Sequence, residues 1–173
     1  MSQEKNYQYF VEGEDEEKII KVLKTDMQLI VPGKVLRFNV VERKITKARL
    51  MSLRPDTNVI LIFDTDTGND AILKENIQIL KKHLAVKSVI CVPQVKNLED
   101  ELVRACNIKQ IKELTGSKSN GEFKRDLIKE SNLKRKLENK QFDFSKFWST
   151  SLKEGYDGIV NESEKIKCSM IEM

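Results

Sequence analysis

The sequence has few of the residues that thiolate-metal sites, disulfides and histidine-based active sites require. Its three cysteines, at positions 91, 106 and 168, show no CxxC spacing and have no histidine nearby, and His83 is the sole histidine. A zinc site, a disulfide framework, a histidine–metal cluster and an HNH-type nuclease centre are therefore not indicated. A Ser/His/Asp triad would need His83, which ends a predicted surface helix, to meet a distant serine. Unpaired cysteines in this number are typical of a reduced, cytosolic protein.

Long apolar stretches and targeting signals are also missing. No run approaches the roughly 20 apolar residues that a membrane span needs. The N-terminus, Met1-Ser2-Gln3-Glu4-Lys5, lacks the apolar core of a signal peptide. The pattern GxxxxGK[ST], which cradles nucleotide phosphates, does not occur either. We therefore expect a soluble, cytoplasmic protein without a membrane segment and without a nucleotide-binding loop of its own.

The residues that are present suit one globular domain with an uneven charge distribution. The chain has 173 residues, of which 39% are apolar and 34% are charged, and this is enough for a real core. Residues 1–33 carry seven acids and four bases, whereas residues 109–140 carry ten bases and five acids. Such a separation suits a metal site beside a surface for an anionic polymer, and a solvated helical face explains the basic stretch equally well.

Strand-like and helix-like segments alternate through the first hundred residues. Four apolar, β-branched runs predict strands at 7–11, 35–41, 58–63 and 88–92. Helical spacing of apolar residues follows at 15–23, 45–53, 70–83 and 98–106. The alternation predicts an α/β fold with a doubly wound, mainly parallel sheet of about four strands. The third run is the most apolar, which is typical of a central strand.

The remainder of the chain predicts a helical extension. We divide the chain into an α/β core, 1–107, and a basic loop with a helical C-terminal part, 108–173, packed on that core. Helices are predicted over 122–139 and 143–153, after a loop at 115–121. Phe144, Phe147 and Trp148 follow i, i+3, i+4 spacing, which favours core packing over base stacking.

Acidic residues follow the first and third predicted strands. Glu12 precedes Gly13, while Asp64 and Asp66 end the third strand two residues apart. Alternate residues of a strand share a face, so the two aspartates are expected to project together, near Glu12 at the same edge of the sheet. Two carboxylates 4 Å apart repel by about 4 kcal/mol at an effective dielectric constant near 20, a cost that a divalent cation removes. Oxygen ligands without histidine or thiolate favour Mg²⁺ or Mn²⁺.

Simpler roles compete with this metal interpretation. Acids after strands also form turns, and Glu14, Asp15 and Glu17 fit the start of a helix, where they complement the helix dipole. A phosphate-receiver domain also gathers acids at strand ends. Its acid pair, however, belongs at the end of the first strand, where this chain has Glu12-Gly13.

The order of these motifs resembles that of a known domain. Glu12-Gly13-x-x-Glu16 and Asp64-x-Asp66, each after a strand, resemble the TOPRIM domain of type IA and type II topoisomerases, primases and several nucleases. Residues 11–17 are similar to the form found in nucleases named for overcoming lysogenization defect. Those nucleases add an acidic helix start after the fourth strand, matched here by residues 98–102, and then a basic loop, for which residues 116–125 are the candidate.

The resemblance implies metal-dependent cleavage of nucleic-acid phosphodiesters by two ions. The metal ligands that it implies are acidic: Glu12, Glu16, Asp64, Asp66 and Glu99. If the register is off by one residue, Asp100 takes the place of Glu99. Glu99 and Asp100 fit a simple helix start equally well. A catalytic lysine would neutralise charge on the phosphate, and Lys118 is preferred to Lys124. Contacts to nucleic acid are expected in the basic stretch, at Lys118, Lys124, Arg125, Lys134 and Arg135.

The resemblance also bears on partners. Related nucleases commonly carry an ATPase ahead of the TOPRIM domain, so an ATPase partner in trans, or independent action, is expected here, in antiviral defence against phage. DNA is favoured over RNA as the substrate. Two alternatives stay open: an RNA-maturation or primase-like enzyme with the same fold, and a regulatory or binding subunit that does not cleave.

Overall fold

The computed structural model of the protein describes residues 4–168, and four of its segments are strands of one sheet. The strands are β1 Asn6–Val11, β2 Lys34–Arg37, β3 Thr57–Asp64 and β4 Val86–Gln94. They lie in the order β2-β1-β3-β4, and each neighbouring pair is parallel. The predicted α/β fold with a parallel sheet is confirmed.

Short helices connect the strands and form the C-terminal part. They are α1 Glu14–Lys21, α2 Lys47–Met51, α3 Ala71–Lys82, α4 Leu98–Ala105, α5 Lys112–Thr115, α6 Phe123–Lys129 and α7 Leu133–Asn139. A π-helical turn, Val22–Asp26, continues α1, and 3₁₀ turns occupy Asn120–Glu122 and Ser163–Lys165. Across the described part of the chain, none of these helices has the length and apolarity to cross a membrane.

Two apolar clusters, one on each face of the sheet, make up the core. Successive residues of a strand point to opposite faces, and accordingly Tyr9 and Ile60 join a cluster with α1, α4, α6 and α7. Phe10 and Leu61 join a second cluster with α3 and the segment 38–45. Helices on both faces are what a doubly wound sheet requires, and β3 is buried along its whole length.

Two strands end two or more residues away from the predicted position. The second strand ends at Arg37, because Asn39 Oδ1 accepts hydrogen bonds from the backbone N–H groups of Val41 and Glu42 and turns the chain. The apolar residues after the turn still reach the second core cluster. The fourth strand continues through Pro93 to Gln94, although the proline was expected to end it. It is an edge strand, where a residue without an N–H group is tolerated.

The helical predictions for the C-terminal part are only partly right. The single helix predicted over 122–139 is two helices, because Asn132 caps α7 by accepting from the backbone N–H of Arg135. The helix predicted over 143–153 is wrong, since that segment consists of turns and bends. Asp143 Oδ1 accepts from the backbone N–H of Ser145 at 3.0 Å, a local hydrogen bond that competes with helix formation.

The C-terminal part nevertheless packs into the same core as the sheet. Phe123 and Leu127 of α6, together with Phe147 and Trp148, belong to the cluster that contains Tyr9. The expected core packing of Phe147 and Trp148 is therefore correct, although no helix carries them. The division of the chain at residue 107 stays a prediction.

The close approach of Gly33 to β1 gives a test of the fold. A Cβ atom at Gly33 would lie 2.7 Å from the Tyr7 carbonyl oxygen and 2.8 Å from the Tyr7 Cβ, so the backbone must shift. We expect Gly33→Ala to lower the free energy of unfolding by about 1 to 3 kcal/mol, measured by urea denaturation. Gly121→Ala is the matched control, since its nearest contact would be Ser119 Oγ at 3.9 Å. Equal stability of the two variants would contradict the close approach.

Candidate functional site

The candidate site lies where the strand order of the sheet reverses. The chain goes from β1 to β2 on one side and returns to β3 on the other, so the carboxyl ends of β1 and β3 flank a topological switch point. Open parallel sheets bind ligands in the crevice at such a point. Phe10 pairs with Leu61 in register, so Glu12, just after β1, and Asp64, the last residue of β3, leave the sheet as neighbours.

Asp64 is the buried carboxylate of this edge. It is 8% exposed, and its Oδ1 accepts a hydrogen bond from Gln94 Nε2 at 2.7 Å. Burial, followed by the charges of Glu12, Asp66 and Glu99, raises the pKa of Asp64 to about 8, although the hydrogen bond from Gln94 opposes the rise. At neutral pH this carboxyl group therefore holds a proton more tightly than an aspartate in water.

Glu12 and Asp66 complete the acids at the ends of β1 and β3. Glu12 is half-buried, and burial, then the charge of Asp66, raises its pKa, while Lys124 lowers it. Asp66 is exposed in the loop that follows β3. The sequence predicted that Asp64 and Asp66 project from one strand face. Strand geometry instead ends at Asp64, and Asp66 joins the group from a loop.

Glu16 and Asp15 bring two further carboxylates from the first turn of α1. Glu16 Oε2 accepts from the backbone N–H of Gly13 at 2.9 Å, which closes the start of the helix. Glu16 is 2% exposed, and burial, followed by a hydrogen bond with Asp15 and the charges of Asp15 and Asp64, raises its pKa. Glu16 therefore both caps the helix and belongs to the acid group.

Asp15 is a site residue that the sequence interpretation missed. It lies in the first helical turn, as expected, but it is 6% exposed and faces the acids. Glu14 and Glu17 instead form ion pairs with Arg37 at the surface. Four consecutive acids look alike in sequence, so only helix orientation relative to the sheet separates the buried ones from the exposed ones.

Lys124 is the cation that the structure brings to the acids. Its Nζ lies 3.2 Å from Asp15 Oδ2 and 3.4 Å from Glu99 Oε1. Burial lowers the pKa of Lys124, but Asp15 and Glu99 outweigh burial and raise it, so the side chain stays protonated. Lys118, which the sequence favoured, is exposed in the loop between α5 and α6 and forms no ion pair with any acid among residues 4–168.

The first turn of α4 supplies one more acid. Glu99 binds Lys124 and raises the pKa of Asp64, and its Oε2 atom is buried without a hydrogen-bond partner in the described chain. Asp100 instead donates its backbone N–H to Asn97 Oδ1 at 2.9 Å, at the helix start. Of the two alternatives left by the sequence, Glu99 is the one that lies with the other acids.

A network of buried hydrogen bonds, called the relay below, contacts Asp64 from the side of β4, and no sequence pattern predicted it. Trp148 Nε1 donates to Gln94 Oε1 at 3.4 Å. Because an indole N–H only donates, the amide oxygen of Gln94 faces Trp148 and its NH₂ group faces Asp64. Glu101, completely buried, accepts from the backbone N–H groups of Val95 and Trp148 at 2.9 and 3.0 Å. The relay joins β4, α4 and the C-terminal segment.

Three of the acid side chains, as they lie, are held by protein partners. Asp15 contacts Lys124, Asp64 contacts Gln94, and Glu16 contacts the backbone of Gly13. In residues 4–168, no three or more Asp, Glu, His or Cys side chains are arranged to hold one ion. Ligation of Mg²⁺ or Mn²⁺ by three of these carboxylates therefore requires side-chain rotation. Their oxygen atoms are of the type that both ions prefer.

The remaining predicted cations lie on the outer face of the C-terminal helices. Arg125 is exposed and bound to Glu122 and Asp126, Lys134 lies 3.9 Å from Glu138, and Arg135 is exposed. The opposite faces of α6 and α7 lie in the core. The solvated-face interpretation therefore describes their position, and their contact with nucleic acid stays a prediction.

Comparison of the chain with protein-family models, with curated proteins and with solved structures finds no significant match. The resemblance to TOPRIM nucleases accordingly depends on the sequence motifs alone and stays a prediction.

The raised pKa of Asp64 predicts how stability varies with pH. The folded state retains a proton up to about pH 8, whereas the unfolded state releases it near the ordinary aspartate value of about 3.9. The free energy of unfolding should therefore fall as pH rises from 4 to 8. Asp64→Asn should remove this loss and raise the stability at pH 8 by up to about 5 kcal/mol, since each of the roughly four pKa units corresponds to about 1.4 kcal/mol, with little change at pH 4.

Urea denaturation in EDTA at several pH values measures this effect. Asp26→Asn is the control, since Asp26 is exposed at the far end of the π-helical turn after α1. A constant difference between wild type and Asp64→Asn across the pH range would show that Asp64 titrates normally.

Proposed function

We propose that this protein is a divalent-metal-dependent nuclease that hydrolyses nucleic-acid phosphodiester bonds by a TOPRIM-type mechanism with two metal ions. One observation carries the proposal: acids from three separate segments lie together at the switch point of a parallel sheet. Glu12 and Asp64 leave neighbouring strands there, and Lys124 joins Glu99 of α4 to the same group. Buried carboxylates that repel one another are stabilised by a small divalent cation.

In this proposal each acid has a defined task. Glu12, Asp64 and Asp66 hold the catalytic ion, and Glu16 and Glu99 complete the pair of sites. When bound, the two ions supply an activated water and neutralise the leaving oxygen. Gln94 keeps one oxygen of Asp64 turned toward β4, so the other oxygen is available as a ligand.

Lys124 is the proposed catalytic cation. Its ion pairs with Asp15 and Glu99 place a permanent positive charge beside the acids. Once Glu99 binds a metal ion, the flexible lysine stem can turn Nζ to the phosphate oxygen on which charge develops. The exposed cations Lys118, Arg125, Lys134 and Arg135 then contact flanking phosphates and position the strand.

The biological setting follows from the motif resemblance alone. Under the proposal the substrate is DNA, and an ATPase acts in trans as the partner, in antiviral defence.

Metal binding has a readout that does not depend on cleavage. Mg²⁺ or Mn²⁺ should raise the melting temperature, with about 2.7 kcal/mol of added stability at 100 times the Kd. Asp64→Asn should remove most of this rise, because a ligand is lost, whereas Asp26→Asn should keep it. Differential scanning fluorimetry with a Mn²⁺ titration measures the shift. Unchanged melting of the wild type in millimolar Mn²⁺ would contradict a metal centre.

Cleavage is tested with plasmid, single-stranded DNA and structured RNA, each in Mg²⁺, Mn²⁺ or EDTA. We expect cutting that EDTA stops and that Asp64→Asn lowers by at least about 100-fold, because loss of an outer-shell partner alone costs about 10- to 100-fold and Asp64 is a ligand. Lys124→Met should lower the rate more than Lys118→Met, because only Lys124 lies at the acids. Asp26→Asn controls for folding. Cutting that survives Asp64→Asn would reject this site.

The protein partners that already contact the acids favour one other function. In this alternative the protein is a regulatory subunit that binds a metal ion but does not cleave nucleic acid. Lys124 already neutralises part of the acid group, and no three ligands are prearranged within residues 4–168. Metal-dependent stabilisation without cutting of any substrate would support this function. Cutting confined to structured RNA would instead support the RNA-maturation alternative.

A further inference from the structure

A cavity of about 280 Å³ lies beyond the ends of β3 and β4, beside the acid group. Asp66 lines it, and so connects it with the candidate metal site. The other walls come from Thr67, from Lys96 after β4, and from Lys153 and Tyr156 in the C-terminal segment. None of these four residues belongs to the acid group or to the relay behind Asp64.

Two glycines allow two walls of this cavity to approach each other closely. A Cβ atom at Gly155 would lie 3.0 Å from the Gly68 carbonyl oxygen, so the C-terminal segment and the loop after β3 touch backbone to backbone. Both residues have positive φ, +96° at Gly155 and +65° at Gly68, a conformation that favours glycine. The cavity is therefore a feature of the folded chain where two distant segments meet.

The chemistry of the walls suits an anion. Lys96 and Lys153 are exposed, and neither lies within 4.0 Å of a carboxylate in the described part of the chain. Glu154 also lines the cavity but is exposed to solvent. Once a divalent cation neutralises Asp66, the two lysines give the cavity a positive excess.

Tyr156 supplies an independent sign of a ligand. It is 4% exposed, and its ring stacks on Phe63 with 6.4 Å between ring centroids. Its hydroxyl oxygen is buried and has no hydrogen-bond partner among residues 4–168. Buried hydroxyl groups are nearly always paired, so this one at a cavity wall calls for a partner that residues 4–168 do not supply, such as a ligand group or a water molecule in the cavity.

We infer that the cavity binds the phosphate and sugar of the nucleotide next to the scissile phosphate, on a single nucleic-acid strand. The inference rests on the proposed nuclease function, because it takes the acids as the place of cleavage. Lys96 and Lys153 hold the phosphate, and Tyr156 and Thr67 offer hydroxyl groups to the same nucleotide. The volume lies just below the usual range of ligand pockets, which suits one nucleotide backbone unit and not a duplex.

Strand binding in Ca²⁺, a hard divalent cation that carboxylates bind, tests the inference, and a gel of each probe after the titration checks that it is uncut. The probes are fluorescent single-stranded DNA and RNA oligonucleotides of one sequence, and anisotropy gives the Kd. The double variant Lys96→Ala/Lys153→Ala should bind about tenfold more weakly. Its slope of log K against log salt should be shallower by about 0.7, the value for one phosphate contact on a single strand. Tyr156→Phe should weaken binding about threefold and leave the melting temperature unchanged.

The matched control is Lys82→Ala/Lys87→Ala, which removes the same charge at the opposite end of the sheet, where α3 ends and β4 begins. An unchanged Kd and salt slope in the cavity variant, or an equal loss in the control, would overturn the inference. If the wild type cuts DNA in Mn²⁺ but the cavity variant binds normally, the inference about the cavity is rejected and the proposed nuclease function is retained. If the cavity variant loses binding while the wild type cuts nothing, the proposed nuclease function is rejected and the cavity is retained as a strand-binding site.

Discussion

Repulsion between carboxylates buried at one edge of a parallel sheet is the constraint on which the rest of this structure depends. Asp15, Glu16 and Asp64 are all nearly inaccessible to solvent, where a negative charge is unfavourable. The chain compensates with retained protons, with the ammonium group of Lys124 and with the amide of Gln94. Carboxyl groups with strongly shifted pKa values are concentrated at functional sites, so this edge of the sheet is the candidate functional site.

The same constraint accounts for the packing of the C-terminal part. Lys124 reaches the acids only because Phe123 and Leu127 seat α6 in the core cluster on that face of the sheet. Trp148 orients Gln94 only because Glu101 holds the Trp148 backbone. Helix α6 and the segment around Trp148 are therefore structural components of the edge where β1 and β3 end, and the electrostatics of that edge depend on them.

Regular elements were predictable where one local pattern dominates. The apolar run of β3 predicted an interior strand because an unalternating β-branched run suits burial on both faces. Prediction failed where local hydrogen bonds or edge position decided the outcome. Asn39 ended β2 early, Asp143 replaced a helix with a turn, and Pro93 was tolerated in an edge strand. Each of these depends on one side chain or on the place of a strand in the sheet, and apolar periodicity does not report either.

The sequence by itself determined that acids follow the first and third strands, because strand period and the shared edge of parallel carboxyl ends are local rules. Only the tertiary structure decided which acids are buried, that Asp15 joins them, that Lys124 and not Lys118 meets them, and that Glu99 and not Asp100 faces them. The reason is physical: burial and ion pairing depend on the distance between side chains, and the partners here come from segments far apart in the chain.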